Sequence, residues 1–326
     1  MTDILSLAAD NLLSPMILCF ALGLFAAFAR SELTVPEAAA KALSIYLLFA
    51  IGFKGGVAVA DHGVDARLIS ALVAGVVLSF ALPFLAFAML RGLTRLSTTD
   101  AAAVAAHYGS ISIVTFVTAA SVLSSRGIAS EGYMVAVAAA MEAPAIISAL
   151  WLVSRSGGGA KRMDADLWHE ILLNGSIVLL VGSFFIGMIT GQEGMARIES
   201  FIISPFQGVL CLFLLDMGLV AGRGLRSSRG VLSGGALAFG MLMPIAGATT
   251  GLGAGLILGL STGGVALMMT LAASASYIAV PAAMRVALPE ANPSVYLTLS
   301  LGVTFPFNLT LGIPAYVAIA QALTGG

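Results

Sequence analysis

Two stretches carry paired hydroxyls inside apolar surroundings. "GSISIVTFVTAA" (109–120) holds Ser110 and Ser112, and "ASASYIAVPAAM" (273–284) holds Ser274 and Ser276. In an extended segment residues two apart point the same way, so each S-x-S could present two hydroxyls to one site. If a helix unwinds there, the following half-helix begins at the break with free N–H groups and a positive dipole end. Two such ends meeting form a site for a small anion. Pro281 fits a restart just before it, because proline removes a further backbone hydrogen bond. The alternative is a pair of unbroken helices whose serines bond back to the carbonyl four residues earlier or line helix contacts. The matching occurrence of the two pairs favours the site.

Glu142 lies deep in "AVAAAMEAPAII" (136–147). A carboxylate in such a setting is costly and marks an ion or proton path. Thr304 is its counterpart late in the chain, and Asn308 follows one turn on. A carboxylate with hydroxyl and amide oxygens suits a hard cation such as Na+. Asp216, in "CLFLLDMGLVAG" (211–222), is either a second cation ligand or an inter-helix hydrogen-bond partner. Lys54, in "GFKGG", lies near the outer end of its span, where its ammonium could snorkel to the interface; a structural role is favoured over substrate attraction. His107 reads as a satisfied interior polar group. Cys19 and Cys211 read as small hydrophobes instead of a disulfide or metal pair. "GLGAGL" (251–256) has no strand–helix unit around it and is a packing stretch. No nucleophile–base pair and no metal-spaced His/Cys set can be assembled, so the chain does not read as an enzyme.

These residues must be held by membrane-spanning elements. Of 326 residues 59% are hydrophobic and only 10% charged; mean hydropathy is +1.04. That composition belongs to an integral membrane protein, and the apolar runs are helix-length, far longer than barrel strands. A net charge of −1 argues against nucleic-acid partners. The N-terminus carries acids where a cleavable signal peptide has a basic region. Polar breaks predict an all-α protein with ten spans, near 11–29, 36–59, 67–90, 101–124, 131–153, 169–190, 200–221, 230–259, 263–286 and 294–322. The eighth and tenth contain Pro244, Pro306 and Pro314 and are expected to be tilted, kinked or partly re-entrant. Basic residues gather on one side if both termini are external.

The halves resemble each other. "LFAIGFKGGVAV" pairs with "LFLLDMGLVAG", "GSISIVTFVTAA" with "ASASYIAVPAAM", and "YMVAVAAAMEAP" with "YLTLSLGVTFP", in the same order. Five spans per half give the repeats opposite topology, the mark of a secondary transporter. The first repeat is assigned to 11–154, a cytoplasmic linker to 155–168 and the second repeat to 169–322.

The stretches "LSIYLLFAIGFKGG", "YGSISIVTF", "GVLCLFLLDMGLVA", "ASASYIAVPAAMR", "LPEANPSVYLTLSLGVTFPFN" and "GIPAYV" resemble the sodium-dependent bicarbonate transporter (Sbt) family over about residues 15–320. The resemblance implies a Na+–bicarbonate symporter of the bacterial plasma membrane. It implies ten spans in two inverted repeats, core and gate domains that move as an elevator, and a homotrimer. It implies bicarbonate at the broken crossing helices, which maps onto Gly109, Ser110, Ser112, Ser274, Ala275 and Ser276. Sodium is expected close by; Glu142, Thr304, Asn308 and Asp216 are assigned to it on their chemistry. No cofactor is expected beyond the coupling ion. Many relatives are inhibited by a cytosolic PII-like protein, but the short Gly-rich central loop here leaves that partner open. The competing readings are a Na+-coupled carrier of another small anion, such as a short carboxylate, and a passive anion channel.

Overall fold

The computed structural model describes residues 13–63, 65–155, 175–227 and 233–325, with His169 and Leu173. Apart from Arg155, the linker expected at 155–168 lies outside them. Every regular element among the described residues is helical. In chain order they are α1 (Pro15–Phe28), α2 (Glu37–His62), α3 (Ala66–Leu93), α4 (Thr98–Gly109), α5 (Ile113–Ser125), α6 (Met134–Ala140), α7 (Pro144–Arg155), α8 (Gly175–Ile202), α9 (Phe206–Ser227), α10 (Gly234–Ile257), α11 (Thr262–Ala273) and α12 (Ala279–Ala287). The last, α13, is one long helix over Pro293–Thr324. Eight segments are long and apolar enough to cross a membrane when α4–α5 and α6–α7 each count as one; α1 and α11 are shorter apolar helices. The protein is therefore a multi-pass membrane protein.

The helices begin where the sequence supplies caps. Ser14, Asp65, Ser97, Ser233 and Ser261 each accept a hydrogen bond from a first-turn N–H, which satisfies one of the orphan donors of a helix start. The sixth span differs from expectation at its end. Gly191, with φ 55°, turns the chain near the predicted boundary, and a further helical segment continues to Ile202. The tenth span is not re-entrant. It runs unbroken through two π-helical turns, Thr298–Thr304 and Asn308–Gly312. Each ends two residues before a proline, Pro306 or Pro314, where a missing N–H disrupts regular i→i−4 pairing.

Packing pairs the elements in a regular way. α1 lies along α9, and α2 along α8; α3 packs on α4, and α10 on α11. The α4–α5 segment is the most enclosed, with its apolar window wholly buried, whereas α8 turns most of its surface outward. Hydrogen bonds sort the connections onto two faces. Glu131–Ser261, Gln192–Asp61 and Thr262–Thr324 lie on one. Arg226–Ala27, Arg223–Leu33 and Asp100–Asn292 lie on the other. α1 begins and α13 ends on the first face. Arg30, Lys41, Arg91, Arg95, Arg155, Arg223, Arg226 and Arg285 lie toward the second, and Lys54, Arg67, Arg126 and Arg197 toward the first.

Candidate functional site

Both S-x-S stretches are breaks. Ser110 (φ −86°, ψ 158°) and Ser274 (φ −85°, ψ 162°) leave their helices in nearly identical extended conformations. α4 and α11 enter from opposite faces and stop; α5 and α12 restart and leave. The two breaks cross and are stitched together. The Ser112 N–H donates to Ser274 Oγ at 2.9 Å, and the Ser276 N–H donates to the His107 carbonyl at 2.7 Å. Pro281 is the third residue of α12, where an N–H would have lacked a helical partner anyway.

The four hydroxyls do different work. Ser274 Oγ also donates to the Leu271 carbonyl and is a strut between the breaks. Ser112 Oγ caps α5, accepting from the Thr115 N–H and hydroxyl. Ser276 Oγ accepts from the Val280 N–H at 3.4 Å in the first turn of α12. An accepting serine keeps its own O–H to donate, so Ser112 and Ser276 retain a donor at the mouths of the two half-helices. Ser110 Oγ is buried with no partner among the described residues. Gly109 is a packing residue: a Cβ there would lie 2.4 Å from Pro83 Cγ and 2.6 Å from the Ser79 carbonyl. Ala275 is buried within the second break.

Glu142 also sits in a break, between α6 and α7. Pro144 starts α7 and biases the preceding Ala143 away from helical backbone, while Ser79 Oγ donates to the freed Met141 carbonyl at 2.6 Å. The carboxylate is 4% exposed. With Ile111, Ser112, Ile113, Ser276, Tyr277 and Ser176 it lines a cavity of about 10 Å³. That is room for a water or a bare cation and not for a larger anion. Glu142 Oε2 has no hydrogen-bond partner among the described residues. The Tyr277 hydroxyl approaches Ser112 without closing a well-directed hydrogen bond.

Thr304 and Asn308 lie elsewhere, at the ends of the incoming half-helices. Thr304 Oγ1 donates to the Gly240 carbonyl at 2.6 Å and pairs with the Tyr108 hydroxyl at 2.7 Å. Asn308 Nδ2 donates to the carbonyl of Ala273, the last residue of α11, and its Oδ1 accepts from Tyr316. Glu142 thus belongs with the positive helix ends, and Thr304 and Asn308 with the negative ones. Asp216 is buried in α9 and feels Arg223, but among the described residues it makes no hydrogen bond to the crossing. His107 is satisfied at one nitrogen only: Nδ1 bonds the Ala103 carbonyl and the ring stacks on Tyr296, while Nε2 has no described partner. Lys54 Nζ lies 4.3 Å from the centre of the Phe206 ring. Cys19 and Cys211 are free thiols.

A profile of the Na+-dependent bicarbonate transporter superfamily matches residues 15–321. The chain belongs to that superfamily. A search of curated proteins gives no match. For a transporter of this superfamily, three groups at the crossing went unread in the sequence. Tyr277 follows the second S-x-S directly, and Tyr108 precedes the first by two residues. Ser176 opens α8, a span to which no chemistry was assigned.

Proposed function

We propose that this transporter carries bicarbonate into the cytoplasm together with Na+. The observation that carries the reading is the meeting of two half-helix N-termini, each with a serine O–H still to donate, around the carboxylate of Glu142. Backbone N–H groups and positive dipole ends favour an anion. When ionised, Glu142 would place negative charge where the substrate would dock. Two unit charges about 5 Å apart repel by roughly 3 kcal/mol at an effective dielectric of about 20. A Na+ ion at Glu142 removes that opposition, so the anion follows the cation. Ser110, Ser112 and Ser276 would donate to bicarbonate, and Ser274 would hold the breaks in register. Thr304 and Asn308, beside the carbonyl ends of α4 and α11, suit a second cation position; Asp216 has less to recommend it.

The pairing of α1 with α9 and α2 with α8, and of α3–α4 with α10–α11, supports inverted repeats over 11–154 and 169–322. Those four paired helices α1, α2, α8 and α9 fit a gate, and the remaining elements a core that moves past it. The surplus of basic residues on the second face supports a cytoplasmic assignment for it, with both termini outside. The bacterial inner membrane, the homotrimer and a cytosolic PII-like partner are carried over from the family resemblance.

The test is uptake of labelled bicarbonate into proteoliposomes with and without an inward Na+ gradient. Symport predicts uptake only with Na+. For one-to-one coupling the rate is insensitive to a clamped potential, because no net charge moves. Uptake without Na+ would indicate a channel or another coupling ion. Na+-driven uptake of a short carboxylate in place of bicarbonate would reassign the anion.

A further inference from the structure

The helices α2, α5, α6 and the start of α9 enclose a cleft of about 320 Å³ on the face where α1 begins and α13 ends. Lys54 stands in it, half-buried, with its ammonium over the Phe206 ring. Such a cation–π contact offsets part of the lost hydration but does not neutralise the charge. Among the described residues no carboxylate pairs with Lys54. Glu131 lines the same cleft, yet its oxygens are engaged by the Ser261 N–H at 2.6 Å and hydroxyl at 2.9 Å. The floor of the cleft includes Phe116 and Val117. They lie one turn along α5 from Ile113, which lines the cavity beside Glu142. A cleft on the opposite face holds Arg223 and Arg226, but both tie down backbone carbonyls, of Leu33 and Ala27.

We propose that the Lys54 cleft is a capture station for the transported anion, a small monovalent oxyanion held there before it reaches the crossing. The proposal rests on the reading of the protein as an anion carrier. An unpaired ammonium at a low-dielectric cleft focuses the local field and concentrates anions at its mouth. Its place between the gate-like helices α2 and α9 and the core helices α5 and α6 puts it on the route inward.

The experiment compares wild type, Lys54→Arg and Lys54→Gln in proteoliposomes. Lys54→Gln is expected to raise the bicarbonate KM about tenfold at low ionic strength, the lower end of what field focusing supplies. The half-saturating Na+ concentration should not move, and the KM gap should close as salt screens the charge. Lys54→Arg should keep most of the effect. An unchanged KM with unchanged salt dependence in Lys54→Gln overturns the proposal. A second measurement serves if that variant fails to fold. K54C is made in a C19A/C211A background and treated with an anionic thiosulfonate at constant ionic strength. The anionic label should leave the KM raised, whereas labelling with an aminoethyl thiosulfonate, which restores the positive charge, should restore it. A KM that the restored positive charge does not lower overturns the station. Wild type that takes up no bicarbonate sinks the transport reading instead, and the KM of whichever small oxyanion is taken up, compared with and without the positive charge at position 54, then decides the station separately.

Discussion

Ser110 is the most informative of the serines because its hydroxyl has no hydrogen-bond partner among the described residues. Removing it leaves no helix uncapped and no cross-link broken. If it donates to the substrate, Ser110→Ala should raise the bicarbonate KM by about tenfold or more, the scale of a lost hydrogen bond to a charged group. The thermal midpoint of the purified protein should stay where it is. An unaltered KM would take that hydroxyl out of the site. Ser274 contrasts with it, bonded on both sides, so its replacement should act through the fold. The sequence made the four serines visible as two matched pairs. It could not divide their labour, because that depends on which N–H each oxygen meets across the crossing. The same limit applies to Thr304 and Asn308. Their oxygens suit Na+ chemistry, but only the structure shows that Tyr108, Gly240, Ala273 and Tyr316 share them and that they lie beside the carbonyl ends of α4 and α11, apart from Glu142.

At the scale of elements, the two breaks were legible because the same S-x-S pair of hydroxyls occurs twice inside apolar surroundings. The break at Glu142 was not, although its cause lies in the sequence. Pro144 two residues on restricts Ala143 and ends α6, a signal outweighed in reading by the apolar run around it. In the tenth span Pro306 and Pro314 suggested a tilted, kinked or partly re-entrant course; re-entry is excluded, because one continuous helix absorbs both prolines in π turns. Close packing fixes the crossing from behind. α4 ends at Gly109 directly against Pro83 of α3. A methyl there must push the helices apart, so Gly109→Ala should lower stability by about 1–3 kcal/mol. The expected readout is a lower thermal midpoint in detergent, with bicarbonate affinity of the surviving folded fraction little changed. A Gly109→Ala protein as stable as wild type would show that α3 and α4 can yield at this point.

For the whole molecule the physical problem is the membrane potential. A negative interior opposes entry of one negative charge by about 2.3 kcal/mol per 100 mV, and under the proposed symport a Na+ ion moving with each bicarbonate would cancel that term. Coupling then requires that the anion bind poorly until Na+ is present. Glu142 is suited to enforce this, with its charge held at the N-termini of α5 and α12 beside a cavity of cation size. Composition and apolar run length revealed the spans, and basic-residue bias suggested their orientation. That Glu142, Ser112 and Ser276 line one cavity is a juxtaposition that spacing along the chain does not show. The most direct test is labelled-bicarbonate uptake by wild type and Glu142→Gln across a Na+ titration. Wild type should show no uptake without Na+ and a saturable rise with it. Glu142→Gln keeps the shape and loses the charge, so its half-saturating Na+ should rise about tenfold or more, the equivalent of at least about 1.4 kcal/mol, with some uptake left in the absence of Na+. An identical Na+ titration for the two proteins would contradict the account.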